Sequence, residues 1–319
     1  FCRGHGLAIL HRTAPPPFAV FMRLTATTAA LLTTSTLLWA GNAVVGRAVV
    51  GLVSPITLNF IRWCLAFCIL LPLAPWVLRR GSGLWPMWRR YALLGLLGVG
   101  SYNALQYLAL RTSTPVNVTL VASTMPLWML ALGRLFFGMR VTRMQMVGVG
   151  LSMAGVLVVL ARGRWQQLAQ LQLVPGDLYM LLATLCWAWY SWLLPARAGE
   201  PTRLRADWAA LLLGQVGFGL GWSGLFAGAE WATGDAFIHP SWPLAAALLF
   251  VAVGPAVLAY RCWGLGVERA GPAVAGFFSN LTPVFAAILS ALFLGEAPQL
   301  YHGLAFALIV LGIWVAARR

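Results

Sequence analysis

An apolar segment that contains prolines and glycines at fixed positions occurs twice in this chain, 157 positions apart. The two copies share the order and spacing of two prolines and two glycines. These are Pro115, Pro126, Gly138 and Gly155 in the first copy, and Pro272, Pro283, Gly295 and Gly312 in the second. A doubled hydrophobic segment is typical of secondary transporters built from structural repeats. If each repeat holds five membrane helices, the odd number turns the second repeat upside down.

The composition indicates a membrane protein. The chain is 61% hydrophobic and 9% charged, whereas a soluble domain carries about 25% charged residues. Its apolar segments repeatedly reach the roughly 20 residues that cross a bilayer. We therefore predict an all-α integral membrane protein with ten transmembrane helices. The predicted spans are 25–46, 55–78, 90–110, 115–137, 142–161, 177–196, 207–229, 242–264, 270–294 and 298–317.

The spans predict two inverted five-helix repeats, at 25–161 and 177–317, joined by a loop at 162–176. Residues 1–24 are expected to be a disordered or artefactual N-terminal tail. All 22 basic residues are arginines. If the N-terminus lies in the cytoplasm, Arg62 lies inside a span. Only a few arginines then lie on the outer side of the membrane, and these are Arg47, Arg111, Arg162 and Arg164. Because basic loops stay in the cytoplasm, we expect both termini on the cytoplasmic side of a bacterial inner membrane.

Several other classes of function find no support in the sequence. The net charge of +15 comes from arginines scattered in short groups between spans, which argues against nucleic acid binding. The five cysteines form neither a disulfide framework nor a zinc pattern, so we expect no cofactor and no metal. The seven carboxylates all lie in loops or near the ends of the predicted spans, and the HExxH and Walker A motifs are absent. An enzyme is therefore not expected.

Several short motifs recur in the order and spacing of one transporter family. They are Leu-Leu-Trp-Ala-Gly-Asn at 37–42, Asn-Phe-Ile-Arg-Trp at 59–63, Pro-Gly-Asp-Leu at 175–178, Leu-Thr-Pro-Val-Phe at 281–285 and Leu-Gly-Glu at 294–296. Together they resemble the EamA family of the drug/metabolite transporter superfamily, over roughly residues 25–317. The family often has an acidic residue after the glycine in both halves, but here Glu296 is matched by Met139 in the first half.

The resemblance implies a ten-helix secondary transporter in a lipid bilayer. We expect it to export small metabolites, with amino acids or related compounds first, by alternating access. Efflux of aromatic or cationic drugs is the alternative, followed by a lipid flippase or a membrane enzyme. The sequence leaves open whether the protein works as a monomer or as a homodimer.

Arg62 is the foremost candidate for substrate binding. It lies about seven residues into the second span, which is roughly 10 Å deep at 1.5 Å per residue. A charge at that depth costs at least about 2.5 kcal/mol unless it meets water or a partner. One interpretation is a guanidinium that faces a central cavity and binds a carboxylate or phosphate. The other is a side chain that extends to the outer interface or binds carbonyl groups of a neighbouring helix.

The remaining candidates are polar or aromatic residues inside spans. For substrate binding they are Trp39, Asn42, Asn103, Gln106, Tyr107, Ser123, Trp187, Tyr190 and Asn280. The amides line a cavity or bond to adjacent helices, and the tryptophans form aromatic walls or merely pack. Ser123 and Asn280 each precede a repeat proline by three residues, so they either line the site or satisfy carbonyl groups that the prolines leave without a donor. For ion coupling the candidates are Glu296 and His302.

Overall fold

The structure is a computed structural model that describes residues 24–113, 115–161, 166, 174–294 and 299–318. In these ranges the regular elements are helices. They are α1 (Ala26–Ala48), α2 (Pro55–Leu70), α3 (Trp88–Leu94), α4 (Tyr102–Thr112), α5 (Pro115–Ala122), α6 (Met125–Phe136), α7 (Arg143–Ala161), α8 (Pro175–Leu193), α9 (Thr202–Ala206), α10 (Trp208–Ala232), α11 (Trp242–Val251), α12 (Ala259–Ala270), α13 (Pro272–Phe278), α14 (Thr282–Leu294) and α15 (Leu300–Ala317). Nearly all of the predicted tail lies outside the described residues, as does most of the predicted loop at 162–176.

The helices fit an all-α membrane protein. Seven helical stretches among the described residues are long and apolar enough to cross a bilayer. These are Ala26–Ala48, Asn117–Phe136, Arg143–Ala161, Trp208–Ala232, Trp242–Ala270, Pro272–Phe293 and Leu300–Ala317. Helices also occupy the other three predicted positions, at Pro55–Leu70, 88–112 and Pro175–Leu193.

The second predicted span extends too far at its C-terminal end. We expected it to continue to residue 78, but α2 ends at Leu70, and a short 3-10 helix follows at Pro75–Leu78. The physical reason is Pro72, which has no N–H and so removes a hydrogen bond that a continued helix would need. Residues 71–78 are apolar enough to extend the hydropathy signal past this break.

Irregularities in the helices recur at the repeat offset. A π-helical segment at Gly95–Ser101 joins α3 to α4, and a second at Ala252–Leu258 joins α11 to α12, 157 residues later. The four repeat prolines stand at the first or second positions of α5, α6, α13 and α14, where a missing N–H costs least. Predicted spans four and nine are therefore each broken midway, at equivalent places.

The packing between helices is reciprocal. Helix α4 packs on α8, and the equivalent helix of the second half, α12, packs on α1. In the same way α6 packs on α8, and α14 packs on α1. Helices α7 and α15 occupy equivalent positions in the two halves and pack against each other. The first helix of each half thus packs against helices of the other half.

Three glycines let the backbones of α7 and α15 approach closely, and two of them are repeat glycines. A Cβ atom on Gly312 would lie 2.8 Å from the carbonyl oxygen of Gly148, and one on Gly148 would lie 2.7 Å from the carbonyl oxygen of Gly312. A Cβ atom on Gly155 would lie 2.8 Å from the carbonyl oxygen of Ala305. Small residues let helices in membranes pack closely by backbone contact. The crossing therefore requires glycine at these positions.

We predict that Gly312→Ala destabilises the protein by about 1–3 kcal/mol, the usual cost of overpacking. The added methyl group would meet backbone atoms of α7, which cannot rotate away. Gly303→Ala, on the same helix, is the control because a Cβ atom there meets no atom within 4 Å. Thermal unfolding of both purified variants in one detergent measures the difference. Equal melting temperatures would show that the crossing does not limit stability.

Candidate functional site

Seven aromatic side chains from both halves of the chain meet where their helices converge. This aromatic cluster consists of Trp39, Trp63, Tyr102, Trp187, Tyr190, Tyr260 and Trp263. Trp187 is central, because its ring centroid lies 5.1 Å from Trp39, 5.2 Å from Tyr102 and 5.0 Å from Tyr190. The edge-to-face and tilted arrangements are those that aromatic rings prefer, and each pair contributes about 0.5–1.5 kcal/mol beyond burial. The cluster thus joins the two halves.

The two π-helical segments supply hydrogen-bond acceptors to this cluster. The indole Nε1 of Trp39 donates to the carbonyl oxygen of Pro255 at 3.2 Å. The hydroxyl of Tyr260 donates to the carbonyl oxygen of Gly98. Gly98 and Pro255 are 157 positions apart, so equivalent carbonyl groups of the two halves each hold one ring of the other half. π-Bulges often occur at functional sites, and here they aim backbone oxygens into the interface.

Arg62 is buried on α2 and turned inward. Its side chain is 3% exposed. Nη2 donates to Oδ1 of Asn59 at 2.7 Å, and Nη1 makes a long contact of 3.5 Å with Oδ1 of Asn42. The guanidinium carbon lies 4.9 Å from the ring centroid of Trp63, a cation–π contact that connects it to the aromatic cluster. Nε has no hydrogen-bond partner among the described residues.

No described carboxylate neutralises Arg62. Six of the seven carboxylates in the sequence are described, and each bonds to other groups. These residues are Asp177, Glu200, Asp207, Glu230, Asp235 and Glu268. Glu296 lies outside the described residues. Because a charge without a counter-ion is expensive inside a membrane, Arg62 stays the first candidate for a functional residue.

Asn59 orients Arg62. It was not among the site residues predicted from the sequence. It is 1% exposed, one helical turn before Arg62. Its Oδ1 accepts from Nη2 of Arg62 and also from Nε1 of Trp63 at 3.2 Å. Its Nδ2 has no partner among the described residues. An unpaired buried polar group costs about 1–3 kcal/mol, so two adjacent unpaired donors are unusual. The spacing Asn59-x-x-Arg62 was the available signal.

Repeat correspondence was the signal for two of the four cluster rings that the sequence did not predict. Tyr260 and Trp263 stand 157 positions after Asn103 and Gln106, which the sequence analysis did select. One face of equivalent helices thus carries aromatic rings on α12 and amides on α4. In the structure Asn103 is buried, and Gln106 and Tyr107 are half-buried on α4. None of these three makes a side-chain hydrogen bond within the part of the chain that the structure describes.

The structure brings together about half of the predicted site residues. Trp39, Trp187 and Tyr190 belong to the aromatic cluster, and Asn42 contacts Arg62. Tyr190 is anchored to Gln215 by a hydrogen bond of 2.9 Å from its hydroxyl to Oε1.

Ser123 and Asn280 make hydrogen bonds away from the cluster. Ser123 Oγ donates to the carbonyl oxygen of Leu120 at 2.7 Å. Asn280 Nδ2 donates to Oγ of Ser152 at 2.8 Å, which links the second half of the chain to α7 of the first. Of the two coupling candidates, His302 accepts from the backbone N–H of Gln299 at 3.1 Å and caps α15, whereas Glu296 lies outside the described residues.

Glu200 fastens several helix ends together. Its carboxylate accepts from Nε of Arg90 at 2.9 Å and from Nε of Arg197 at 2.7 Å. Arg197 also lies 3.7 Å from the carboxylate of Glu268 at the end of α12. We call these residues the Glu200 network. The sequence predicts carboxylates near helix ends, but it carries no sign that Glu200 is buried.

Two further carboxylates hold other helix ends. Glu230, near the end of α10, accepts from the hydroxyls of Ser54 and Thr57, both at 2.8 Å, and from the backbone N–H of Thr57 at 2.8 Å. It therefore caps the N-terminus of α2, where the helix dipole favours negative charge. Asp177, in the first turn of α8, accepts from Asn117 Nδ2 at 3.1 Å.

The chain matches the model of the EamA-like transporter family at residues 26–161 and again at 174–318. It is 27% identical to an uncharacterized transporter of Archaeoglobus fulgidus, over 91% of this chain and 96% of that one. It is also 27% identical to the aromatic amino acid exporter YddG of Ancylobacter novellus, over 75% of this chain and 80% of that one. A crystal structure 24% identical to it superposes with a TM-score of 0.70, over 91% of this chain and 96% of that chain, which shows a shared fold.

We predict that Glu200→Ala destabilises the protein by about 3 kcal/mol or more, because it leaves two arginines without their buried carboxylate. Asp235→Ala breaks an exposed pair with Arg111, whose side chains are 52% and 51% exposed, and should cost less than about 1 kcal/mol. Denaturation of both variants in detergent compares them. A Glu200→Ala loss as small as that of Asp235→Ala would contradict a structural role for the network.

Proposed function

Because the chain belongs to the EamA-like transporter family, we propose that it exports small metabolites across a bacterial cytoplasmic membrane, with amino acids or related compounds first. The observation that carries this proposal is the junction of Arg62 with the aromatic cluster. It combines a positive charge that no described carboxylate contacts with a large apolar wall, and it is built from helices of both halves. In transporters made of repeats, the substrate site lies at the interface between the repeats.

The proposed architecture has ten membrane-crossing helices in two inverted repeats, at residues 25–161 and 177–317. The reciprocal helix packing and the matched π-helical segments support equivalence of the two halves. The two separate matches to the family model agree with this division. The distribution of the arginines supports inversion of the second half and cytoplasmic positions for both termini.

We propose that transport proceeds by alternating access, with the carboxylates at the helix ends acting as latches. In the proposed orientation the Glu200 network lies at the cytoplasmic end, and the contacts of Glu230 and Asp177 lie at the outer end. Rocking one half against the other has to break or stretch such contacts on one side at a time. The ion pair between Arg90 and Glu200 joins α3 of the first half to the second half, so it is the contact most directly exposed to this motion.

An amino acid is the substrate that fits both parts of this site. Its carboxylate would bind the guanidinium of Arg62, and its side chain would lie against the rings. The relative named as an aromatic amino acid exporter supports this class. Efflux of aromatic drugs is the second candidate because the aromatic cluster alone would accept a planar apolar compound. A cationic drug fits less well, since Arg62 would repel it.

Release from proteoliposomes tests the proposal. Vesicles loaded with a mixed pool of amino acids and other metabolites are sampled by mass spectrometry, with and without a pH gradient. We expect selective release that Arg62→Ala lowers at least about tenfold, because a hydrogen bond to a charged group is worth about 1.5–3 kcal/mol. Arg111→Ala, at an exposed arginine, is the matched control.

Two results would count against these proposals. If no compound leaves faster than from protein-free vesicles, the protein is not an exporter of that pool. If folded Arg62→Ala protein, verified by gel filtration, releases the same compounds at the wild-type rate, the site lies elsewhere.

A further inference from the structure

We infer that this site selects its substrate by a carboxylate and not by an ammonium group. Arg62 Nε and Asn59 Nδ2 would bind the anionic end of an aromatic carboxylic acid, whether or not the acid carries an amino group. The inference rests on the proposed function and deepens it. It extends the substrate class from amino acids to deaminated acids of the same shape, and it excludes the corresponding amines.

The first argument is that both unpaired groups are donors. Arg62 Nε and Asn59 Nδ2 are buried and lack partners among the described residues. The hydrogen bond between Nη2 of Arg62 and Oδ1 of Asn59 fixes the two side chains relative to each other. Guanidinium nitrogen and amide nitrogen donate but do not accept, so their ligand has to bring oxygen acceptors. A carboxylate supplies two acceptors and the opposite charge, and it suits the fork of a guanidinium.

The second argument is that the described residues offer no acidic partner to an ammonium group. Each of the six described carboxylates is already engaged at a helix end or in a loop. Among the residues that the structure describes, an ammonium group at this site would meet ring faces and neutral oxygens, and it would lie near the positive charge of Arg62. Contact with the rings adds little next to that repulsion. The amino group of an amino acid therefore contributes little to its binding.

The third argument concerns the uncharged end of the substrate. The guanidinium carbon lies 4.9 Å from the centroid of Trp63, and that ring lies 5.1 Å from Tyr260. Tyr260 in turn lies 5.5 Å from Trp187, at the centre of the aromatic cluster. The rings thus lead away from the charge in one continuous series. An acid with an aromatic group a few bonds from its carboxylate matches this arrangement.

Equilibrium binding of four related compounds tests the inference. L-phenylalanine, 3-phenylpropionate, 2-phenylethylamine and L-phenylalaninamide are titrated into the purified full-length protein by isothermal calorimetry. We expect phenylalanine and 3-phenylpropionate to bind with dissociation constants within about threefold of each other. The amine and the amide, which lack a carboxylate, should bind at least about tenfold more weakly.

A single substitution examines the two donors directly. Asn59→Asp places a permanent carboxylate next to Arg62, in the position that the substrate would neutralise. We expect this variant to lose affinity for 3-phenylpropionate at least about tenfold and to narrow or reverse the preference over 2-phenylethylamine. A purely structural role for Asn59 would weaken all four compounds alike. Arg111→Gln is the control and should bind as the wild type does.

The outcomes separate this inference from the proposed function. Equal binding of phenylalanine and phenylalaninamide, together with release of amino acids from proteoliposomes, would overturn the inference and leave the exporter in place. Undiminished binding of 3-phenylpropionate by Asn59→Asp would overturn it as well. Failure of all four compounds to bind would overturn it, and the proposed function would fail too only if the release assay were also negative. Should Asn59→Asp not fold, the four titrations of the wild type still decide.

Discussion

A guanidinium inside an apolar helix bundle is the constraint around which this structure is arranged. Arg62 is buried, and no described carboxylate lies against it. Its compensation comes instead from amide oxygens and the face of Trp63. Within the described part of the chain, these contacts leave Nε and the neighbouring Asn59 Nδ2 without acceptors. A buried charge and two unpaired donors therefore lie where the two halves meet. This unfavourable arrangement is expected of a site that binds an anion.

The backbone of the two halves is more alike than their side chains. Both halves place a π-helical segment and a broken helix at the same offsets, and both direct a carbonyl oxygen at a ring of the other half. Yet one half presents Tyr260 and Trp263 where the other presents Asn103 and Gln106. The close crossing of α7 and α15 at Gly148 and Gly312 also joins equivalent helices of the two halves.

Much of the fold followed from hydropathy and the repeat, because apolar length and proline positions are local properties. The seven spans long enough to cross a bilayer were among those predicted, and Pro115 and Pro272 begin helices. The predicted end of α2 was wrong because the apolar sequence continues past Pro72, where the helix stops. Arg62 was found from its charge alone. Asn59 was missed because its spacing from Arg62 hints only at a shared helix face, whereas its role depends on the side chains that it holds in three dimensions.

The burial of Glu200 and Glu230 was not predictable for the same reason. A carboxylate near a helix end resembles a solvated loop residue in sequence, and only the packed arrangement shows that it binds arginines or caps α2. The aromatic cluster was predictable in part. The sequence indicated Trp39, Trp187 and Tyr190, but Tyr260 and Trp263 required the repeat correspondence to be extended from one half to the other.

The most direct test of the central claim is an experimental structure of the protein with 4-bromophenylalanine, in which anomalous scattering locates the bromine. The account predicts a bromine peak among Trp63, Trp187 and Tyr260, with density for the carboxylate against Nε of Arg62 and Nδ2 of Asn59. A bromine peak confined to the lipid-facing surface, or a bound ligand whose carboxylate lies away from Arg62, would contradict it.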